Sequence, residues 1–155
     1  MKYVIFDLDG TLADIELRRK KALKDNGEIH WGVFFDPRNI DLDSPVESIV
    51  TLYHVFRLQS GFKTVIFSGR SDITKDATEK WFRRHYIVLP DIFIMRRDGD
   101  FTPDQDLKKQ WLEELLETEK ISKNQILFVV DDRNKVVNMW REEGLTCLHC
   151  AEGDF

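Results

Sequence analysis

The chain has 155 residues, enough for one domain with a sizeable core, and its 42% hydrophobic content, with eleven Phe and four Trp, excludes a disordered segment. A formal net charge of −5 excludes a global positive field, so a phosphate-bearing partner has to be met by local arginines or by a metal. No apolar run approaches the roughly 20 residues of a membrane span, and the opening MKYVIF lacks the apolar region and cleavage site of a signal peptide, which predicts a cytoplasmic protein with no membrane partner.

In chain order, Tyr3 to Leu8 read as a buried strand that stops at Gly10. Asp7 and Asp9 start on the same side of it, and carboxylates that close repel unless a cation or a shared proton relieves them. Residues 13 to 44 show no clean period. They hold a basic cluster at 18 to 21, an Asn-Gly turn signal and the aromatic patch HWGVFFDP, and are expected to form a small cap or long loop over the strand ends. Ser44-Pro45-Val46-Glu47 predicts a capped helix start, followed by Val46, Ile49, Val50, Tyr53 and Phe56 at helical spacing. Lys63 to Phe67 predict a strand ending in Ser68-Gly69-Arg70, and Ile73, Ala77 and Trp81 mark the next helix.

Asp91 to Met95 predict a short strand ending in Arg96-Arg97, and Thr102-Pro103-Asp104-Gln105 repeats the capping signature ahead of Leu107, Trp111 and Leu115. Gln125 to Val130 form the most apolar strand, ending in Asp131-Asp132-Arg133. Val136, Val137 and Trp140 make a last helical face stopped by Gly144, and Leu145 to Cys150 predict a final strand. Cys147 and Cys150 read as two thiols in that strand, since a lone C-L-H-C lacks the usual four-ligand zinc spacing. Alternating strands and helices predict an α/β fold: a doubly wound, mostly parallel five-stranded sheet in one domain over 1–155, with 13–44 inserted after the first strand.

The unusual polar groups all fall at the carboxyl ends of the predicted strands, where open parallel sheets bind ligands. Four carboxylates without His or Cys suit a hard cation, and Mg²⁺ fits best if a phosphate supplies further oxygens. Lys108 lies four residues after Asp104, on one helix face with it, and its side chain leans back toward the crevice. A hydroxyl, an ammonium, an acid cluster and several guanidiniums describe a phosphate site. No GxxxxGK[ST] sequence occurs, so the cradle of an ATP-using kinase is missing.

DLDGT at 7 to 11, a hydroxyl after the second strand, a lysine on a later helix and an acidic pair after the fourth strand resemble the haloacid dehalogenase superfamily. More narrowly, SGR (68–70), GDFTPDQDLKKQW (99–111) and DDRNKVVNMWREEGLTCLHCAEGDF (131–155) resemble the 3′-phosphatase domain of bacteriophage polynucleotide kinase/phosphatase, over nearly the whole chain and least from about 19 to 44. The resemblance implies that Asp7 attacks phosphorus and that Asp9 supplies acid and base, with Ser68 and Lys108 completing the catalytic set. It places Mg²⁺ on Asp7, Asp131, Asp132 and the backbone carbonyl of Asp9, with Asp132 the preferred direct ligand. Thr11, Arg18, Gly69, Arg70, Arg96 and Asp104 fall at positions for substrate or its phosphate. It implies 3′-phosphorylated nucleic-acid ends as substrate, a separate kinase or ligase as partner, and the host cytoplasm for a phage-encoded chain.

Two other functions share these features. A nucleotidase for free mononucleotides suits the acidic charge, because extended strand binding wants a basic groove. A receiver-like module would keep its phosphoryl group, and Asp9 argues against that by supplying acid–base turnover.

Overall fold

The computed structural model describes all 155 residues. Five strands form one parallel sheet: β1 (Lys2–Phe6), β4 (Phe62–Ser71), β5 (Ile92–Arg96), β6 (Ile126–Asp131) and β7 (Cys147–His149), in the order β5-β4-β1-β6-β7. Two-residue strands β2 (Ala13–Asp14) and β3 (Ser44–Pro45) pair antiparallel in a separate ribbon. The α/β class and five-stranded parallel sheet thus agree with the sequence pattern.

Side chains alternate along β1, so the sheet carries two cores. Tyr3 and Ile5 join Val65, Phe67, Val129 and Trp140 on one face, under α5 (Asp104–Thr118) and α6 (Asn134–Glu142). Val4 and Phe6 join Ile66, Tyr53, Trp81 and Phe82 on the other, under α3 (Glu47–Arg57) and α4 (Lys75–Arg84). From β1 the chain builds outward through β4 and β5, then crosses back to build β6 and β7 on the opposite side. The topological switch point therefore lies between β1 and β6, where a crevice opens at the strand ends.

Several boundaries differ from the sequence pattern. Ser44 and Pro45 do not open a helix; they pair with Ala13 and Asp14, and α3 starts at Glu47 behind Val46. A proline is tolerated there because the ribbon is all edge and needs no donor on its outer side. Thr102 does not cap α5 either: its hydroxyl donates to Asp100 Oδ1 at 2.7 Å, closing a turn, and Pro103 occupies the cap position. β4 runs four residues further than expected, through Ser68-Gly69-Arg70-Ser71. Its pairing with β5 skips from Ser68–Met95 to Ser71–Arg96, so a bulge at Gly69-Arg70 re-aims the side chains that follow.

Between β2 and β3 the chain forms α1 (Glu16–Ala22), the single-turn α2 (Trp31–Phe34) and a 3₁₀ turn over Pro37–Leu42. The β2–β3 ribbon closes this segment at its base and packs it over the crevice. No helix is long and apolar enough to cross a membrane.

Candidate active site

The floor of the crevice is set by two strand ends. Asp7 follows β1, with its amide donating to Val130 O of β6 at 2.9 Å, and Asp131 closes β6. The chain then turns tightly: the amides of Thr11, Leu12 and Ala13 all donate to Leu8 O. Gly10 makes this turn possible. Its φ is +81°, and a Cβ there would overlap the Asp132 carboxylate. Gly10→Ala is therefore expected to cost about 1–2 kcal/mol in backbone strain and to displace Asp132 as well. Urea denaturation together with Mg²⁺ titration checks both effects.

Asp7, Asp131 and Asp132 are all buried, and each offers a ligand oxygen within 4.8 Å of the others. Lys108 is the counter-charge. It is 1% exposed and donates to Asp7 Oδ1 at 2.7 Å and Asp131 Oδ2 at 2.9 Å, with Asp104 Oδ2 3.6 Å away. Burial works against its charge, but the acids around it outweigh that and hold its pKa well above the usual lysine range. One ammonium does not satisfy three acids. Burial pushes Asp7 well up, and Asp131 and Asp132 push it further against the pull of Lys108.

Asp131 is saturated, because its other oxygen accepts from the amides of Asp132 (3.0 Å) and Arg133 (3.3 Å). Asp132 has one side-chain partner, the Thr11 hydroxyl at 3.4 Å, and that hydroxyl also lies 3.2 Å from Asp7 Oδ2. This all-oxygen donor set with surplus negative charge fits a hard divalent cation. The cysteines lie outside it: Cys147 is buried in the sheet, and Cys150 Sγ sits 3.6 Å from Thr11 Oγ1.

Asp9 faces a different set of groups. Its Oδ1 accepts from Arg18 Nη2 at 2.8 Å and from Arg70 Nε at 2.7 Å. Both arginines also grip Asp43, at 3.0 and 2.7 Å, and they are fully buried. Arg18 Nη1 reaches Phe34 O, and Arg70 Nη1 reaches Thr78 Oγ1. Burial raises the pKa of Asp9, but the two guanidiniums outweigh it and leave the carboxyl below the usual range. The Asp9 carboxylate lies outside the three-acid group, held through Oδ1 by the two arginines, and its backbone carbonyl is the atom expected to serve as a ligand.

Other expected site residues are placed as follows. Ser68 is fully buried, and its hydroxyl accepts from the Arg70 amide at 3.2 Å. Gly69 borders the cleft, where a Cβ would come within 2.5 Å of Asp104 Oδ1. Arg96 spends its donors on Gly69 O, Asp100 O, Thr102 O and Asp104, clasping the loop after β5. Arg18 and Arg70 stand behind Asp9 and do not line the cleft. Asp43 was not legible as a site residue, since it lies in an aperiodic stretch and its partners Arg18 and Arg70 are 25 and 27 residues away. Arg97 and Arg133 border the cleft as well, and their signal was position after a strand.

The pattern of the polynucleotide kinase PNKP phosphatase domain matches residues 1–155, the entire sequence. The chain belongs to this family. A chain in the Pnkp1/Rnl/Hen1 RNA repair complex is 34% identical with a TM-score of 0.72, and the match covers 99% of this PNKP-type domain and 43% of that chain. In a second structure of the Pnkp1/Rnl/Hen1 complex the identity is 31% and the TM-score 0.77, covering 99% and 47%. The PNKP-type domain therefore spans less than half of those chains. A haloacid dehalogenase-like hydrolase from Streptococcus pneumoniae shares the fold at 15% identity and a TM-score of 0.67, over 95% of this domain and 83% of that chain. By family, then, the domain is a phosphatase of the haloacid dehalogenase type, with the acid cluster at its sheet's switch point.

Proposed function

We propose that this PNKP-type domain is a Mg²⁺-dependent phosphomonoesterase that removes the 3′-phosphate from polynucleotide ends. The observation that carries the reading is the convergence of Asp7, Lys108, Asp131 and Asp132 in one buried crevice. The cation would be held by Asp7, Asp132, the Asp9 carbonyl and, through its hydrogen-bonded network, Asp131, and it supplies neutralisation of the phosphate's charge.

The chain's own groups supply the chemistry. An Asp7 oxygen forms a bond to phosphorus as the bond from phosphorus to the 3′ oxygen breaks, giving an aspartyl-phosphate. A proton from Asp9 goes to the leaving oxygen. Asp9 is ionised in the free protein because Arg18 and Arg70 face it, so it takes up this proton from solvent as substrate binds, the arriving phosphate's negative charge raising its affinity. In the second half Asp9 takes a proton from water as the water attacks phosphorus, releasing inorganic phosphate and restoring the Asp7 carboxylate. Lys108 fixes Asp7 for attack, Thr11 bridges Asp7 and Asp132, and Ser68 completes the catalytic set by donating its hydroxyl hydrogen to a phosphoryl oxygen while its oxygen accepts from the Arg70 amide. Arg18, Arg70, Gly69, Arg96 and Asp104 shape the substrate side by positioning Asp9 and the loop after β5. The RNA repair complex that holds a similar chain beside Rnl and Hen1 is consistent with a separate ligase as partner.

Phosphate release from a 3′-phosphorylated oligonucleotide, beside free 3′- and 5′-mononucleotides, tests this reading. Preference for the oligonucleotide is expected. Release from mononucleotides alone would instead make the domain a nucleotidase, a reading that the net charge of −5 favours.

The acid cluster also predicts how Mg²⁺ acts on stability. Burial and Asp131 push the Asp132 carboxyl from its ordinary 3.8 up to about 6, against the pull of Lys108. The folded protein then holds that proton more tightly than the unfolded chain does. Its contribution to stability is complete below 3.8 and is lost as the pH rises through about 6. A cation that takes the proton's place restores it, so Mg²⁺ is expected to raise Tm more at about pH 7.5 than at about pH 5.5. Thermal melts with and without Mg²⁺ at both pH values check this.

A further inference from the structure

The cleft above the carboxylate floor holds about 730 Å³, a volume suited to a whole small molecule and not only to a phosphate. One wall is aromatic. Trp31 borders the cleft and is 60% exposed, whereas Trp81, Trp111 and Trp140 are all 6% or less. Phe35 stacks on Trp31 at 5.7 Å with planes 19° apart, and Phe34 meets it edge-on at 5.5 Å. The indole is thus braced by Phe34 and Phe35, which border the cleft with it, and remains largely exposed. Its mounting is tied to the reacting groups, because Arg18 holds Asp9 through Nη2 and the Phe34 carbonyl through Nη1.

The loop after β5 contributes Arg97 to the same cleft. This guanidinium is exposed, borders the same cleft and takes no hydrogen bond or ion pair within the protein. Its neighbours differ: Arg96 is spent on the loop backbone, and Arg133 donates to Phe155 O and faces Asp104. An aromatic face and one uncommitted cation beside an acidic floor suit a short piece of nucleic acid. They do not suit a long strand, which needs a row of cations.

Resting on the 3′-phosphatase reading above, we propose that the cleft holds a single terminal nucleotide, with its base stacked on Trp31 and the phosphate on its 5′ side met by Arg97. The smallest ligand that fills the site is then a nucleoside carrying phosphates at both 3′ and 5′ positions. Stacking on Trp31 takes the terminal base out of any duplex, so single-stranded 3′ ends are preferred to blunt ones.

Binding to the Asp7→Asn protein, which keeps the ligand unprocessed, gives a readout independent of turnover. A 3′-phosphorylated dinucleotide is expected to quench tryptophan fluorescence, and Trp31→Phe in the same background to remove the quench. Calorimetry with Trp31→Ala is expected to show about ten-fold weaker binding, the scale of one lost base stack. Arg97→Ala is expected to weaken the dinucleotide by about ten-fold, with the loss confined to ligands that carry the 5′-side phosphate and absent for a nucleoside 3′-monophosphate. Quenching that survives Trp31→Phe, or an equal loss on both ligands in Arg97→Ala, overturns the subsite. Phosphate release by the parent protein without Trp31-dependent quenching also overturns it, and leaves the 3′-phosphatase reading standing. Quenching without phosphate release supports the subsite and overturns that reading instead.

Discussion

Asp7→Asn is expected to abolish phosphate release, by on the order of 10⁴-fold or more, while leaving the protein at least as stable as the parent. The two halves of this result have one origin. An amide cannot attack phosphorus, so the aspartyl-phosphate does not form. The same carboxyl is held well above its ordinary range by burial and by Asp131 and Asp132, despite Lys108 at 2.7 Å. A raised pKa in the folded state means that ionised Asp7 costs stability at neutral pH, a cost that is absent only below the ordinary carboxyl range. Asparagine keeps the acceptor for Lys108 and removes the excess charge. Urea unfolding beside a phosphate-release assay reads both, and inactivity accompanied by a large loss of stability would contradict this origin.

Arg18→Ala is expected to be the most disruptive single change, costing about 3–5 kcal/mol of stability. Arg18 is fully buried, bridges Asp9 and Asp43, donates to Phe34 O and lies over the Phe34 ring at 4.3 Å. Burial works against its charge, but Asp9 and Asp43 outweigh it and raise its pKa, so the folded state favours the ion pairs. Removing it leaves Arg70 alone against the Asp9 and Asp43 carboxylates and opens a void where its side chain met Asp43 and Phe34. Below the new Tm, activity is expected to fall by at least about 100-fold, because Asp9 loses one of the two groups that aim it. The alkaline limb of the kcat/KM profile moves to higher pH, since Asp9 must carry a proton to protonate the leaving oxygen and one of the charges holding its pKa down is gone. Arg18→Lys does not rescue this, as a single ammonium cannot serve three acceptors in fixed directions.

How much of this was legible in the sequence depends on the range over which each signal acts. The sheet strands were visible because their apolar runs end abruptly in Asp7, Ser68, Arg96 and Asp131, and parallel topology sends all four ends to one edge. Cap chemistry was less reliable. Ser44 and Thr102 carry a helix-start signature, yet a partner strand claims one and Asp100 claims the other, competitions that local spacing does not show. The acidic floor was legible as residue types. The division of labour above it was not: Arg18, Arg70 and Asp43 form one buried network with Asp9 only because the segment between β2 and β3 folds back across the crevice. Nor does sequence show that Arg96 is consumed by its own loop while Arg97, the next residue, remains free.

In the proposed mechanism Asp7 takes the phosphoryl group from a 3′ end, and that transfer can be trapped. The protein is mixed with Mg²⁺ and an oligonucleotide radiolabelled in its 3′-phosphate, quenched in acid within one turnover, and digested for peptide mapping. Label on the peptide containing Asp7, absent from Asp7→Asn, is the predicted result. Release of labelled phosphate with no label on Asp7, or with label on another residue, would contradict the mechanism proposed for this crevice.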